Sequence, residues 1–118
     1  MSRGGTIAVV VAVEEEFVPY RDLFPDLRPL RKTGPWEVHE ARVGERRVVL
    51  VLSDCGPANA GAATERVIGH FAPAIVLNGG AAGAHERELL PGDVVVGSRY
   101  AILFPPSGQK RIDGGGER

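Results

Sequence analysis

The run Thr6-Ile7-Ala8-Val9-Val10-Val11-Ala12 constrains the fold of this chain more than any other segment. It is short, unbroken and β-branched, with no polar residue in alternation, and a strand of that composition has to be covered on both faces. The run therefore predicts a central strand of an α/β domain. It falls far below the ~20 apolar residues that cross a bilayer, and Glu14-Glu15-Glu16 stand where a secretory cleavage region needs small neutral residues. No membrane partner and no targeting segment are expected.

The next segments alternate in periodicity. Glu14 to Phe24 places Phe17, Tyr20, Leu23 and Phe24 at helical spacing, opens with three acids suited to a helix N-terminus, and stops before Pro25. Pro25 to Pro35, with its prolines and mixed charge, reads as a surface connection. Trp36 to Val43 alternates, Gly44-Glu45 turns the chain, and Arg47 to Ser53 contains Val48-Val49-Leu50-Val51-Leu52, so a β-hairpin with a buried second arm is expected. Asp54-Cys55-Gly56-Pro57 ends that arm, and Asn59 to Phe71 repeats Ala63, Val67 and Ile68 at helical spacing. Ala74 to Leu77 reads as a strand, Asn78 to Gly83 as a glycine loop, and Asp93 to Val96 as a further strand introduced by Pro91-Gly92.

This order predicts an α/β, layered αβα domain with a mixed, largely parallel central sheet. If the first hairpin arm runs antiparallel to strand one, the second arm and the Ala74 strand both run parallel to it. One partial domain is expected over 1–104, and a flexible tail over 105–118, where two prolines and Gly114-Gly115-Gly116 favour coil.

Composition narrows the function classes. A chain of 118 residues is one domain, short for an α/β enzyme that must also enclose a ligand. The 14 Lys+Arg balance 15 Asp+Glu and are spread along the chain, which argues against a nucleic-acid partner and for a small neutral ligand. Cys55 is the single cysteine, so no internal disulfide or multi-cysteine zinc site is possible, and a cytoplasmic location is expected. Without an adjacent base it reads as a small buried residue. His39, His70 and His85 share no metal-ligand spacing and read as surface or helix-end residues, so no metal is expected.

Ligands of open α/β sheets collect at the carboxyl ends of strands. Three unusual segments fall there: Glu14-Glu15-Glu16, Ser53 to Asn59, and Asn78 to Gly83. Consecutive helical residues are turned by ~100°, so at most one or two of the glutamates look into a cleft; the alternative is that all three merely complement the helix dipole. Gly79-Gly80-Ala81-Ala82-Gly83 permits close backbone approach to a ligand, or simply a tight turn. It matches neither the P-loop nor the dinucleotide fingerprint, which makes a dinucleotide-binding domain the weakest reading.

Taken in order, three segments resemble the 5'-methylthioadenosine/S-adenosylhomocysteine nucleosidases of the nucleoside phosphorylase/nucleosidase superfamily. Ile7 to Glu16 resembles the opening of that family. Leu52-Ser53-Asp54-Cys55-Gly56-Pro57-Ala58-Asn59-Ala60 resembles its Ser-Gly-x-Gly-x-x-Asn-Ala turn. Leu77-Asn78-Gly79-Gly80-Ala81-Ala82-Gly83, followed by Leu90-Pro91-Gly92-Asp93-Val94-Val95-Val96, resembles its Asn-Thr-Gly-x-Ala-Gly loop and Val-Gly-Asp-Ile-Val-Val strand. The likeness runs from about Thr6 to Tyr100.

The resemblance implies N-ribosidic cleavage of a purine nucleoside, with no cofactor, by a homodimer. Glu16 would hold and activate the water that attacks the anomeric carbon. Gly80, Ala81, Ala82, Gly83 and Ser53 would bind substrate, with Ala81 and Gly83 lining the ribose and base region. An oxocarbenium-like transition state asks for a carboxylate on one face of the sugar and an acid at the leaving group. The chain departs from the pattern at Ala81, where many relatives have serine, at Asp54 in place of the first glycine of the Ser-Gly turn, and at Gly79 in place of threonine. It also reads as the N-terminal, truncated half of the nucleoside phosphorylase fold, with no counterpart for the Met-Glu segment that grips the ribose or for the aspartate acid. The absence of arginine and serine from Asn78 to Ala84 favours water over phosphate as nucleophile, with a phosphorylase half as one alternative. A catalytically incomplete fragment, kept as a nucleoside-binding or oligomerisation module, is the other.

Overall fold

The computed structural model describes residues 5–30 and 34–103 of the 118. The elements are β1 (Ile7–Val11), α1 (Glu14–Leu23), β2 (Arg28–Pro29), β3 (Glu37–Val43), β4 (Arg46–Leu52), α2 (Pro57–Phe71) and β5 (Ile75–Asn78). The chain divides into two compact units, Met1–Gly83 and Ala84–Arg118, and all seven elements lie in the first.

The five strands form one sheet in the order β2-β3-β4-β1-β5. As the β-branched run demands, β1 is interior: it pairs in parallel with β4, Val9 opposite Leu50, and with β5, Val9 opposite Leu77. β3 runs antiparallel to β4, so the mixed α/β sheet expected from the element order is present, with two of its four ladders parallel. The short β2 was read from sequence as plain connection. Arg28 and Pro29 nevertheless pair antiparallel with Glu40 and His39 at the sheet edge, a position that tolerates proline because one row of backbone groups faces away from the ladder.

Alternation along β1 and β4 divides the core between two faces. Ala8, Val10, Val49 and Val51 join Val38 and, from α2, Ala63 and Val67. Val9, Val11, Val48 and Leu50 pack around Phe17 of α1, which is fully buried. A period of two in the strands thus meets a period of 3.6 in each helix, one helix per face. Burying a side chain such as Phe17 or Leu50 contributes roughly 1.5–3 kcal/mol each. The two helices start where three parallel strands end, which brings their N-termini to the carboxyl edge of the sheet.

The second unit, described to residue 103, contains no strand among its described residues. The expected strand over Asp93 to Val96 is therefore not formed: Val94, Val95 and Val96 are 89%, 67% and 88% exposed. Apolar, β-branched composition is necessary for a strand but does not supply the ladder partner a strand needs. Leu90-Pro91-Gly92-Asp93 instead closes a turn. Asp93 N–H donates to the Leu90 carbonyl at 3.0 Å, Leu90 N–H donates to the Asp93 carboxylate at 2.9 Å, and Gly92 takes φ 96°. Proline then glycine at the two central positions is the sequence such a turn requires. The tail expected over 105–118 lies outside the described residues.

Candidate active site

Glu14, Glu15 and Glu16 form the first turn of α1 and diverge as helical geometry requires. Glu14 pairs with Arg21, both half exposed. Glu15 is exposed. Glu16 alone turns toward the loop after β5, where the Ala81 N–H donates to its Oε1 at 2.9 Å across 65 residues of sequence. A Cβ placed on Gly80 would stand 2.9 Å from Oε1 and 3.0 Å from Oε2 of Glu16, so the loop backbone approaches the carboxylate as closely as only glycine permits.

Of the residues expected at the site, the structure therefore brings together Glu16, Gly80 and Ala81. Ala82 and Gly83 continue the same exposed loop, and a Cβ on Gly83 would meet nothing within 4 Å. Ser53 stands at the end of β4 and is 1% exposed. Its N–H donates to the Val11 carbonyl at 2.8 Å, its hydroxyl donates to the Asp54 carbonyl at 2.9 Å, and its own carbonyl accepts the Trp36 indole N–H at 3.1 Å. Its polar groups are spent inside the protein, and it offers almost no surface of its own.

Asp54 has φ 70°, in the left-handed region. That conformation explains why glycine suits this point of the turn and why aspartate, which tolerates it better than most residues, can replace it. The Asp54 carboxylate also accepts the Cys55 N–H at 2.7 Å. Cys55 itself is exposed, not buried as its type suggested, because the turn carries it past the edge of the core. Beside the turn lies a cleft of about 540 Å³, walled by Val13, Glu14, Glu15, Trp36, Asp54 and Asn59 among others. Its size suits a small molecule, and four carboxylates on its rim, Glu14, Glu15, Glu37 and Asp54, give it negative charge.

Two residues behave differently from their sequence reading. His39, expected at the surface, projects from β3 against Phe17 with ring centroids 4.7 Å apart, and its Nδ1 is buried and has no hydrogen-bond partner among the described residues. Burial lowers its pKa below the ordinary histidine range, reinforced by Arg21 and opposed by Glu37 and Glu14. Glu40, on the opposite face of the same strand, accepts hydrogen bonds from Arg47, at 2.8 Å, and from Arg28. The Arg47 hydrogen bond is the main reason its carboxyl stays below the usual carboxylate range.

The model of the phosphorylase superfamily matches residues 6–111. This chain belongs to the phosphorylase superfamily. Within it, the chain is 32% identical over 91 residues to the 5'-methylthioadenosine/S-adenosylhomocysteine nucleosidase of Oceanobacillus iheyensis, a match covering 77% of this chain and 39% of that protein. Two solved nucleosidases share the fold: that of Neisseria meningitidis in complex with methylthio-immucillin-A, at TM-score 0.65 and 32% identity, covering 73% of this chain and 37% of the other, and that of Colwellia psychrerythraea in complex with adenine, at TM-score 0.67 and 26% identity, covering 77% and 37%. The chain thus spans about two fifths of the length of the relatives it matches. Among the described residues, this phosphorylase-superfamily chain has no helix long and apolar enough to cross a membrane, and no cluster of three or more His, Cys, Asp or Glu able to hold a metal ion.

Sequence reasoning missed Tyr20 beside the loop that meets Glu16, and Trp36 in the wall of the cleft after β4, a cleft lined by neither Glu16 nor Gly80 to Gly83. Trp36 signals itself only as a lone tryptophan at the head of a hairpin. Tyr20 stands four residues after Glu16, a spacing that puts both on one helix face, and its hydroxyl reaches Gly79.

Proposed function

We propose that this chain supplies the nucleophile-positioning part of a site for hydrolytic N-ribosidic cleavage of a purine nucleoside of the 5'-methylthioadenosine or S-adenosylhomocysteine type. The observation that carries the reading is the Glu16 carboxylate held at the carboxyl edge of a parallel sheet by the amide of Ala81. One oxygen is oriented by that bond. Among the described residues the other accepts no hydrogen bond, which leaves it for a water molecule. In the proposed reaction the water oxygen bonds to the anomeric carbon, its proton passes to Glu16, and the bond from carbon to purine nitrogen breaks as the base accepts a proton from a second acid. That acid is assigned to the part of the fold that relatives have beyond the matched two fifths. The exposed backbone of Gly80 to Gly83 would line the ribose and base, with Ser53 across β1 from them in the wall of the cleft after β4.

The test is adenine release from 5'-methylthioadenosine, with hydrogen exchange in its presence. Saturating ligand is expected to slow exchange at Gly80 and Ala81 in the wild type, and Glu16→Gln to lower any release by about 10²-fold or more. Unchanged exchange with ligand at saturation sinks the reading for this chain.

A second reading is a nucleoside-binding or oligomerisation module. It is favoured by β5, an edge strand of the sheet among the described residues, whose Ile75 and Leu77 are 48% and 46% exposed, since an apolar edge strand invites another chain. A homodimer belongs to this reading, and strictly monomeric behaviour by light scattering contradicts it. The single exposed Cys55 suits a reducing, cytoplasmic setting.

A further inference from the structure

Glu16 and Tyr20 lie one helical turn apart on α1, and both side chains end on the loop after β5. Glu16 meets Gly80 and Ala81; Tyr20 meets Gly79. A Cβ on Gly79 would fall 2.6 Å from the Tyr20 hydroxyl oxygen, a separation no side chain sustains. Gly79 is absent from the glycines with positive φ, so conformational freedom does not explain its identity. Space does.

Neither partner of this contact is free to yield. The Gly79 N–H donates to the Val10 carbonyl at 3.0 Å, which ties the loop backbone to β1. The Tyr20 ring is stacked on Phe24, centroids 6.3 Å apart and planes 17° apart, and is flanked by Phe17 at 6.5 Å. Its hydroxyl is therefore the end of a braced aromatic column, not the tip of a flexible chain.

We infer that Tyr20 is the positioning residue of this site: its hydroxyl, wedged where a side chain at position 79 would lie, sets the depth of the loop and hence whether the Ala81 amide reaches Glu16. The pair Tyr20 and Gly79 is one steric unit. A larger residue at either position pushes the loop outward and lengthens the contact between Glu16 and Ala81. The functional consequence rests on the reading of Glu16 and the loop as a nucleoside site, whereas the coupling itself does not.

The experiment is hydrogen exchange at Ala81 in the full 118-residue chain, as wild type, Tyr20→Phe, Gly79→Ala and the double variant, with Val49 and Val51 amides as core controls. Gly79→Ala is expected to speed Ala81 exchange about tenfold and Tyr20→Phe about threefold, while the double variant returns to within about twofold of wild type because the methyl refills the space of the lost hydroxyl. Equal effects of Gly79→Ala in both tyrosine and phenylalanine backgrounds overturn the inference. Should Gly79→Ala fail to fold, Tyr20→Phe decides alone: unaltered Ala81 exchange overturns it, and faster exchange at Ala81 with unaltered Val49 and Val51 upholds it. Adding saturating 5'-methylthioadenosine separates the two ideas. Coupling without ligand protection of wild-type Ala81 refutes the nucleoside site and leaves the steric unit standing.

Discussion

The turn after β4 and the loop after β5 leave the same edge of the sheet on either side of β1, yet they are built in opposite ways. Ser53 to Gly56 satisfies its polar groups close by: the Ser53 hydroxyl on Asp54, the Asp54 carboxylate on Cys55, the Asn59 amide on the Cys55 carbonyl, and the Trp36 indole on Ser53. Gly79 to Ala81 is held by two bonds to distant elements, one to Val10 and one to Glu16, and is otherwise exposed backbone. The first is a wall whose hydrogen bonds are complete. The second is a loop held at its start by β1 and at Ala81 by a carboxylate, and exposed amides beside an oriented carboxylate are what a ligand can exploit. Changes in the turn should therefore cost stability, and changes at the loop should cost function.

Glu16→Gln tests that division with the largest effect. Any adenine release is expected to fall by about 10²-fold or more, while the thermal midpoint moves by only a few degrees, since the carboxylate lies outside both core clusters. A collapse of stability along with activity would erase the contrast. Next comes Asp54, whose backbone sits at φ 70°. Asp54→Val should lower the unfolding free energy by about 1–2 kcal/mol through left-handed strain alone, whereas Asp54→Gly should remain close to wild type in urea melts. Trp36→Phe removes the indole donor to the Ser53 carbonyl and should cost about 0.5–1.5 kcal/mol, again with ligand protection at Ala81 retained.

The smallest effect is a dependence on pH. Burial lowers the His39 pKa in the folded protein, so the unfolded chain takes up a proton first as pH falls. The stability that neutral His39 contributes is present above its unfolded pKa of about 6.5 and is lost as pH drops below that value toward the folded pKa. His39 packs on Phe17 of α1, the helix that carries Glu16. Mild acid should thus expose the Ala81 amide before the Ser53 amide, and His39→Gln should flatten the difference. Simultaneous loss at both amides would mean that the two loops respond as one unit.

Much of the fold was legible in the residues themselves. The β-branched run of β1, the hairpin around Gly44-Glu45 and the helical spacing of Phe17 and Tyr20 each announce an element, because side-chain period reports which face is buried. The helix bounds differ from the expected ones by a residue or two, as fraying ends do. Of the candidate site, the resemblance to the nucleosidases pointed to Glu16 and the glycine loop, whereas the residues alone left the glutamates a helix-dipole role and the glycines a tight turn.

What sequence alone determined is therefore β1, α1, β3, β4, α2 and β5, the parallel relation of β1, β4 and β5, and the segments that reach the carboxyl edge, all of which follow from local periodicity and from the geometry of crossover connections. Tertiary structure decided the rest. It left Val94 to Val96 unpaired though valine-rich, gave Arg28 and Pro29 a partner in β3, and buried His39 against Phe17. It also turned Glu16, of three adjacent glutamates, to the Ala81 amide and set Tyr20 against Gly79. Each of these outcomes depends on which atoms approach across tens of residues, and contact of that kind is settled by packing, which no local pattern encodes.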